Sequence, residues 1–370
     1  MNNTGYTSEQ WGRVRKNYSG WWNGDLDRPL LAVTLTGGQS AGKEPLLPAK
    51  DFASWYDLSV PAELIVDRWD YDLSRKRFAG DAFPSVWPNF GPGVIAAFLG
   101  CKLINSESVG TTWFEPMGPV NLEALEFGYD AGNVWFRRLS EVMKTAVDRW
   151  KGRVQIGMTD LGGNMDILAS FLPGEPLLYA LYDQPEPIKA LIGKAHELWF
   201  RYFDELNNIL HPANPGYTAW TEILSVEPYY ILQCDFSYMI GPDMFEEFVL
   251  PELRATCRRL ANPFFHLDGP GMLTHLDALL AIPELKGIQW VPGAGAKPTD
   301  EWVDVYRRIR EAGKLVQVLN YDLDWAVAAA RFDRIIERLG GDASGIYWSA
   351  TAPVSREAEV NKFLGRYGCV

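Results

Sequence analysis

Near the end of a short apolar run, His266 and Asp268 sit two residues apart, and they are the side chains in this sequence best placed to act together chemically. The stretch reads Pro263-Phe264-Phe265-His266-Leu267-Asp268-Gly269-Pro270-Gly271. Its apolar start has the length and composition of a buried parallel strand, and the Gly-Pro-Gly that follows ends it abruptly. Side chains along a strand repeat every second residue, so the imidazole and the carboxylate share a face. At the C-terminal end of a strand such a pair can bind a metal or move a proton. The same pair also suits a buried histidine hydrogen-bonded to a neighbouring carboxylate.

Other polar groups fall at or near the ends of other predicted strands: Asp160, Glu222, Asp235, Gln289, Trp290, Asn320 and Tyr321. Several carboxylates and one histidine beside an aromatic wall are costly to bury without purpose, and together they have the composition of a site. His266, Asp268, Asp235 and Glu222 are read as its catalytic groups, with His266, Asp268 and Glu222 as metal ligands. Asp160, Trp290, Gln289, Asn320 and Tyr321 are read as substrate contacts, together with Asn89 in the loop that runs from Trp87 to Gly93. Singly, each has a plainer role: Asp235 as a turn cap, Asn320 as a turn residue before Asp322, Trp290 as core. One imidazole among several oxygens suits zinc or manganese better than a thiolate-selective metal. Cys234 adjoins Asp235, but alternation turns it to the opposite face. His196, His211 and His275 have no second ligand at metal-like spacing.

These groups need elements to hold them. Residues 6 to 25 predict an amphipathic helix, Leu30 to Leu35 a first strand, 37 to 48 a loop and 59 to 79 a helix. Gly80 to Gly93 is a Gly/Pro-rich turn region opening an apolar helical run to Leu99; it carries no nucleotide-binding glycine motif. From Val154 onward strands and helices alternate. The expected strands are 154 to 161, 217 to 224 (carrying Glu222), 230 to 236 (carrying Asp235), 264 to 267, 288 to 291, 315 to 321 and 346 to 349. The expected helices are 164 to 171, 186 to 210, 243 to 261, 272 to 280, 300 to 312 and 326 to 339. Ser355 is placed as the cap of a last helix. Alternation of this kind predicts a parallel sheet covered by helices, and about eight units favour a closed (β/α)8 barrel over an open sheet. No linker or low-complexity block divides the chain, so residues 1 to 370 are read as one domain, with a helical extension to about residue 28.

Composition narrows the classes of function. At 47% apolar and 22% charged residues the chain is an ordinary globular protein with a large core. A net charge of -12 argues against nucleic acid or anionic membrane as a partner. The four cysteines form no CxxC pair, which suits a reducing compartment. Met1 to Lys16 lacks an apolar signal core, and no run approaches about 18 apolar residues. The expectation is a cytoplasmic protein acting on a small molecule.

Several stretches resemble the uroporphyrinogen decarboxylase superfamily, which also contains cobalamin-dependent methyltransferases. They are Asp27-Arg28-Pro29, the segment Gly162 to Tyr182 with its Leu-Pro-Gly-Glu-Pro-Leu-Leu run before Gln184-Pro185-Glu186, the His266 strand end, and Ser349 to Phe363. The resemblance implies a (β/α)8 barrel. It also implies methyl transfer or decarboxylation, with zinc and a corrinoid carried by a partner protein as the associated groups. True decarboxylases carry an Arg-Gln-Ala-Gly-Arg type motif near the N-terminus; here Pro29 is followed by Leu-Leu-Ala-Val-Thr-Leu-Thr, without arginine, which argues against haem biosynthesis. The methyltransferases bind zinc through His-x-Cys and a later Cys. Here the pair is His266-x-Asp268, and the later loop reads Ser349-Ala350-Thr351-Ala352-Pro353.

The leading expectation is therefore a methyltransferase. A decarboxylase or lyase on a small polar substrate, glycoside chemistry suited by a strand-end Glu and many Trp, and a non-catalytic partner of a corrinoid protein or ligand are the alternatives.

Overall fold

The computed structural model describes residues 5–40 and 42–369. The strands are β1 (Leu30–Thr36), β2 (Arg77–Gly80), β3 (Ser85–Val86), β4 (Lys102–Ser106), β5 (Thr111–Glu115) and β6 (Gln155–Ile156). They continue with β7 (Tyr229–Leu232), β8 (Asn262–Asp268), β9 (Gly287–Val291), β10 (Leu315–Val318) and β11 (Ile346–Pro353). Helices α1 (Ser8–Asn23), α2 (Ala62–Ser74), α3 (Ile95–Phe98), α4 (Val134–Trp150), α5 (Asn164–Phe171), α6 (Glu175–Asp183) and α7 (Pro185–Leu210) belong to the first part of the chain. After β7 come α8 (Pro242–Phe248), α9 (Leu250–Arg259), α10 (Leu276–Leu280), α11 (Val303–Glu311), α12 (Trp325–Arg338) and α13 (Glu357–Arg366).

The main sheet has seven strands in the order β2-β1-β11-β10-β9-β8-β7. Every pairing in it is parallel except β1 with β2. Helices between successive parallel strands cover the sheet, so β7 and β10 are buried along their whole length and read as continuous apolar runs rather than alternating ones. Beside this sheet β3 pairs with β6 in parallel. The same line of bonds continues where Gly157 donates to the Val86 carbonyl and Met158 to the Thr218 carbonyl. One contiguous hydrophobic core contains residues from Trp11 to Cys369. No helix among the described residues is long and apolar enough to cross a membrane.

Local chemistry accounts for where the elements begin and end. A capping box between Thr7 and Gln10 starts α1, and Gly24, at φ 76°, ends it. The single helix expected over 243 to 261 is instead α8 and α9. Pro251 has no N–H to donate to the carbonyl one turn earlier, so the helical ladder breaks at Val249. Strand β10 stops at Val318, which leaves Asn320 and Tyr321 in the loop beyond it. Strand β11 runs four residues past Ser349 because Ala350 to Pro353 continue the pairing with β1. Ser355 lies in a 3-10 turn and does not cap α13.

The largest correction concerns residues 217 to 224, which form no strand. Tyr217 and Ser225 bond to each other in an isolated antiparallel bridge, so the segment folds back on itself. Two further carbonyls are taken by side chains: Tyr347 Oη–H donates to that of Glu222 at 2.9 Å and Trp22 Nε1–H to that of Leu224 at 2.8 Å. Backbone groups bonded in this way need no neighbouring strand.

Candidate metal centre and adjoining cavity

Parallel register sets three polar residues side by side. His266 on β8 pairs with Gln289 on β9, and Gln289 pairs with Gln317 on β10. Gln289 Nε2–H donates to Gln317 Oε1 at 2.9 Å, which turns Gln289 Oε1 towards a short hydrogen bond with His266 Nδ1. A carbonyl oxygen only accepts, so Nδ1 carries the proton and Nε2 keeps its lone pair. The Trp220 ring stands edge-on to the imidazole with centroids 4.9 Å apart. Burial holds the His266 pKa below its ordinary value, against the Gln289 bond and the charges of Asp268 and Asp166. The imidazole is therefore neutral at pH 7, the form that ligates a cation.

Strand alternation brings Asp268 onto the face of His266, and Asp235 arrives from the 3-10 turn Asp235–Met239 that follows β7. Asp235, His266 and Asp268 each offer a ligand atom, and these atoms lie within 4.8 Å of one another. Asp166, in the first turn of α5, holds that turn in place: it accepts from the N–H of Asp235 at 3.1 Å and from that of Phe236 at 2.8 Å. Asp160 lies behind it, almost fully buried, accepting from the N–H groups of Gly93 at 3.2 Å and Gly162 at 2.9 Å.

Asp160, Asp166 and Asp235 are all harder to ionise than an ordinary carboxyl. Burial pushes Asp160 up to about 7, with Asp166 adding repulsion and the two glycine N–H groups opposing it. Asp166 is likewise raised to about 7 by burial and then by Asp235. Asp235 reaches about 7 through burial of its carboxyl by surrounding protein, with Asp160 and Asp268 adding to it, although the residue also meets solvent at its outer edge. Carboxylates crowded at this cost are commonly balanced by a cation.

A cavity of about 500 Å³ adjoins the cluster, with Gln289 and Trp220 in its wall. Glu222 also lines it, accepting from Ser85 Oγ–H at 3.0 Å. Protein surrounds its carboxyl on the inner side and raises its pKa, opposed by the Ser85 bond and by Lys76, while the cavity itself admits solvent.

Of the residues expected at the site, His266, Asp268, Asp235 and Asp160 therefore gather, and Gln289 touches them. Glu222 faces the cavity from the folded-back segment and is not among the three grouped ligands; Asp235 takes the position expected for it. Trp290 is a correction: it is fully buried and packs on Trp302 with centroids 5.1 Å apart, because alternation from Gln289 turns it to the helical side. Asn320 closes a turn with Asp322 through both its amide atoms. Asn89 similarly fixes its own loop, donating to the Asp51 carbonyl and accepting from Gly91 N–H. Tyr321 lies in the loop after β10 with more than half of its surface exposed, while protein around the hydroxyl end and then the charge of Asp268 raise it to about 12. Cys234 is buried in the core, and burial pushes its thiol well up.

Asp166, Gln317 and Trp220 were not among the expected site residues. An acidic residue in the first turn of a helix reads as a dipole partner, which hid Asp166. Gln317 was visible in principle as the one polar residue inside Leu-Val-Gln-Val. Comparison of the chain with known protein families finds no matching family model, and comparison with curated proteins finds no match.

Proposed function

We propose that this chain is an enzyme that binds a divalent cation through Asp235, His266 and Asp268 and acts on a small molecule held in the adjoining cavity. We propose further that it is a divergent member of the uroporphyrinogen decarboxylase superfamily with a closed (β/α)8 barrel, its chemistry methyl transfer involving a corrinoid carried by a partner protein. The observation that carries the reading is the approach of three ligand atoms, from β8 and from the turn after the neighbouring β7, to within 4.8 Å of one another. The donor set fits zinc or manganese: one free imidazole nitrogen, carboxylate oxygens and no thiolate. Bound there, the cation would supply Lewis acidity and lower the pKa of a coordinated nucleophile. The chain's own groups do the rest. Gln289 and Gln317 fix the imidazole tautomer, Asp166 holds the turn that presents Asp235, and Trp220 screens the imidazole from water.

A decarboxylase or lyase is the second reading, favoured by Asp160, Asp166 and Asp235, whose carboxyls are raised to about 7. A carboxyl of that kind holds a proton near neutral pH and can deliver it to a carbanion left by carbon dioxide.

Elemental analysis of the purified protein and of an Asp268→Ala variant tests the centre. The expected result is about one equivalent of zinc or manganese in the parent protein and loss of it in the variant. Methyl transfer from methylcobalamin to a small thiol, assayed on the same samples, tests the reaction. Protein that neither contains nor takes up either metal overturns the centre, and metal-loaded protein that releases carbon dioxide but transfers no methyl group moves the assignment to the second reading.

A further inference from the structure

We infer that the cavity beside the metal centre binds a neutral, polyhydroxylated ring compound, a sugar or sugar-like polyol, as the substrate; this rests on the reading of that centre given above for which end of the ligand reacts. The volume of about 500 Å³ falls within the range of about 300–1,000 Å³ typical of sites that enclose a small molecule. Trp69, Trp87 and Trp220 line it, and their flat apolar faces suit the C–H face of a ring. The indole N–H groups of Trp87 and Trp220 are buried without a hydrogen-bond partner among the described residues. A buried donor left unpaired costs about 1–3 kcal/mol. Neither is reached by solvent, so what the rings offer the cavity is their apolar surface.

Polar groups stand among the rings in the same wall. Glu222 commits one carboxylate oxygen to Ser85 and leaves the other for a ligand, and Gln317 lines the wall beyond it. A hydroxyl donates and accepts at once, so a ligand bearing several matches a mixed set that a purely anionic or purely cationic ligand does not. The charges on the wall point the same way. Lys50 is paired with Glu107 at 2.6 Å and Asp72 with Arg68 at 2.5 Å. Lys76 and Glu222 oppose each other in sign, and only Asp51 remains, so no strong field selects a polyanion. Gln289 and Trp220 stand in the cavity wall and both touch His266, so a bound ring lies one side chain away from the centre.

The test uses the full chain, as purified and after zinc dialysis. It is titrated by tryptophan fluorescence and calorimetry with the methyl glycosides of glucose, galactose, mannose, xylose and fucose, and with myo-inositol. Benzoate, citrate and glucose 6-phosphate serve as comparators. The expected result is saturable binding of at least one neutral compound, about tenfold tighter than any comparator, and weakened about tenfold both by Trp87→Ala, which removes the ring from the wall, and by the near-isosteric Glu222→Gln. Failure of every neutral compound to bind, tighter binding of a comparator, or binding unchanged in both variants would overturn the inference. Metal content measured on the same samples separates the two proposals: loaded metal with no neutral ligand bound overturns only this one, whereas absence of metal overturns the centre.

Discussion

Asp268 and Asp235 reach the same point from different strand ends, so neither can substitute for the other. Asp268→Ala and Asp235→Ala are each expected to abolish retention of zinc or manganese through gel filtration, whereas Cys234→Ala, altering a buried thiol outside the cluster, should leave metal content nearly intact. Retention in Asp268→Ala together with loss in Cys234→Ala would exclude the assignment. Gln289 acts one bond further out, by holding the proton of His266 on Nδ1. Removal of such a supporting hydrogen bond typically costs about 10–100-fold in metal affinity. Gln289→Leu is expected to show that loss in a competition titration with a chelating dye, while an affinity equal to the parent's would rule out the relay.

The aspartates also make stability depend on pH in an unusual direction. The Asp160 pKa rises from 3.8 to about 7 on folding, chiefly through burial. A folded-state pKa raised for an acid means that the native protein binds more protons than the unfolded chain between those values. The contribution of that group is therefore full below about pH 4 and is lost as pH rises towards 7, by up to about 1.4 kcal/mol per pH unit. Urea denaturation of metal-free protein should give a lower midpoint at pH 7 than at pH 5 through this cluster, and Asp160→Asn should flatten the slope. A slope unchanged in Asp160→Asn would show that Asp160 does not carry it.

At the scale of elements, two loops cross at a tightly constrained point. Gly162, at φ 77°, sits so close to the Gly93 loop that a Cβ would lie 2.6 Å from Gly93 Cα. The approach lets both N–H groups converge on Asp160. Gly162→Ala meets backbone on one side and the left-handed region on the other, a combination that costs at least about 1–3 kcal/mol. A lower midpoint of thermal unfolding is expected, and a midpoint equal to the parent's would mean that the loops part without penalty. The folded-back segment carrying Glu222 is held instead by Tyr347 and Trp22 from β11 and α1, so its position depends on elements remote in the chain.

In the whole molecule the two ends of the chain are fastened together. Strand β1 pairs with β11 over seven residues, Leu30 with Tyr347 through Thr36 with Pro353. Arg28 just before β1 makes a bidentate pair with buried Asp81, at 2.7 and 2.9 Å, and donates to Cys369 Sγ at 3.1 Å. Asp81 also accepts from the N–H of Leu31. The one arginine of the Asp27-Arg28-Pro29 stretch is thus a structural clamp. Removing one partner of a buried ion pair costs about 3–5 kcal/mol, since the other charge is left uncompensated. Arg28→Ala is expected to lower the urea midpoint accordingly, and Arg28→Ala with Asp81→Asn should recover part of it. No loss in the single variant would deny the clamp.

The sequence by itself determined what is local. Apolar runs ended by glycine and proline marked β8 and β9, and alternation alone put His266 and Asp268 on one face, because that periodicity is a property of the extended backbone. It also set Cys234 apart from Asp235. What only the tertiary structure decided is which neighbours those faces meet. Residues 217 to 224 have the composition of a strand, but side chains from α1 and β11 bind their carbonyls and fold them back, so Glu222 lines a cavity and leaves Asp235 in the ligand group. Alternation sets Gln289 and Trp290 on opposite sides of β9, but only the pairing of Gln289 between His266 and Gln317 decides that Trp290 is the one turned to the helices. Asp166 looks like any acidic residue at a helix start until the turn after β7 docks on it. Each of these outcomes depends on contacts between residues far apart in the chain, and spacing along one strand contains no information about them.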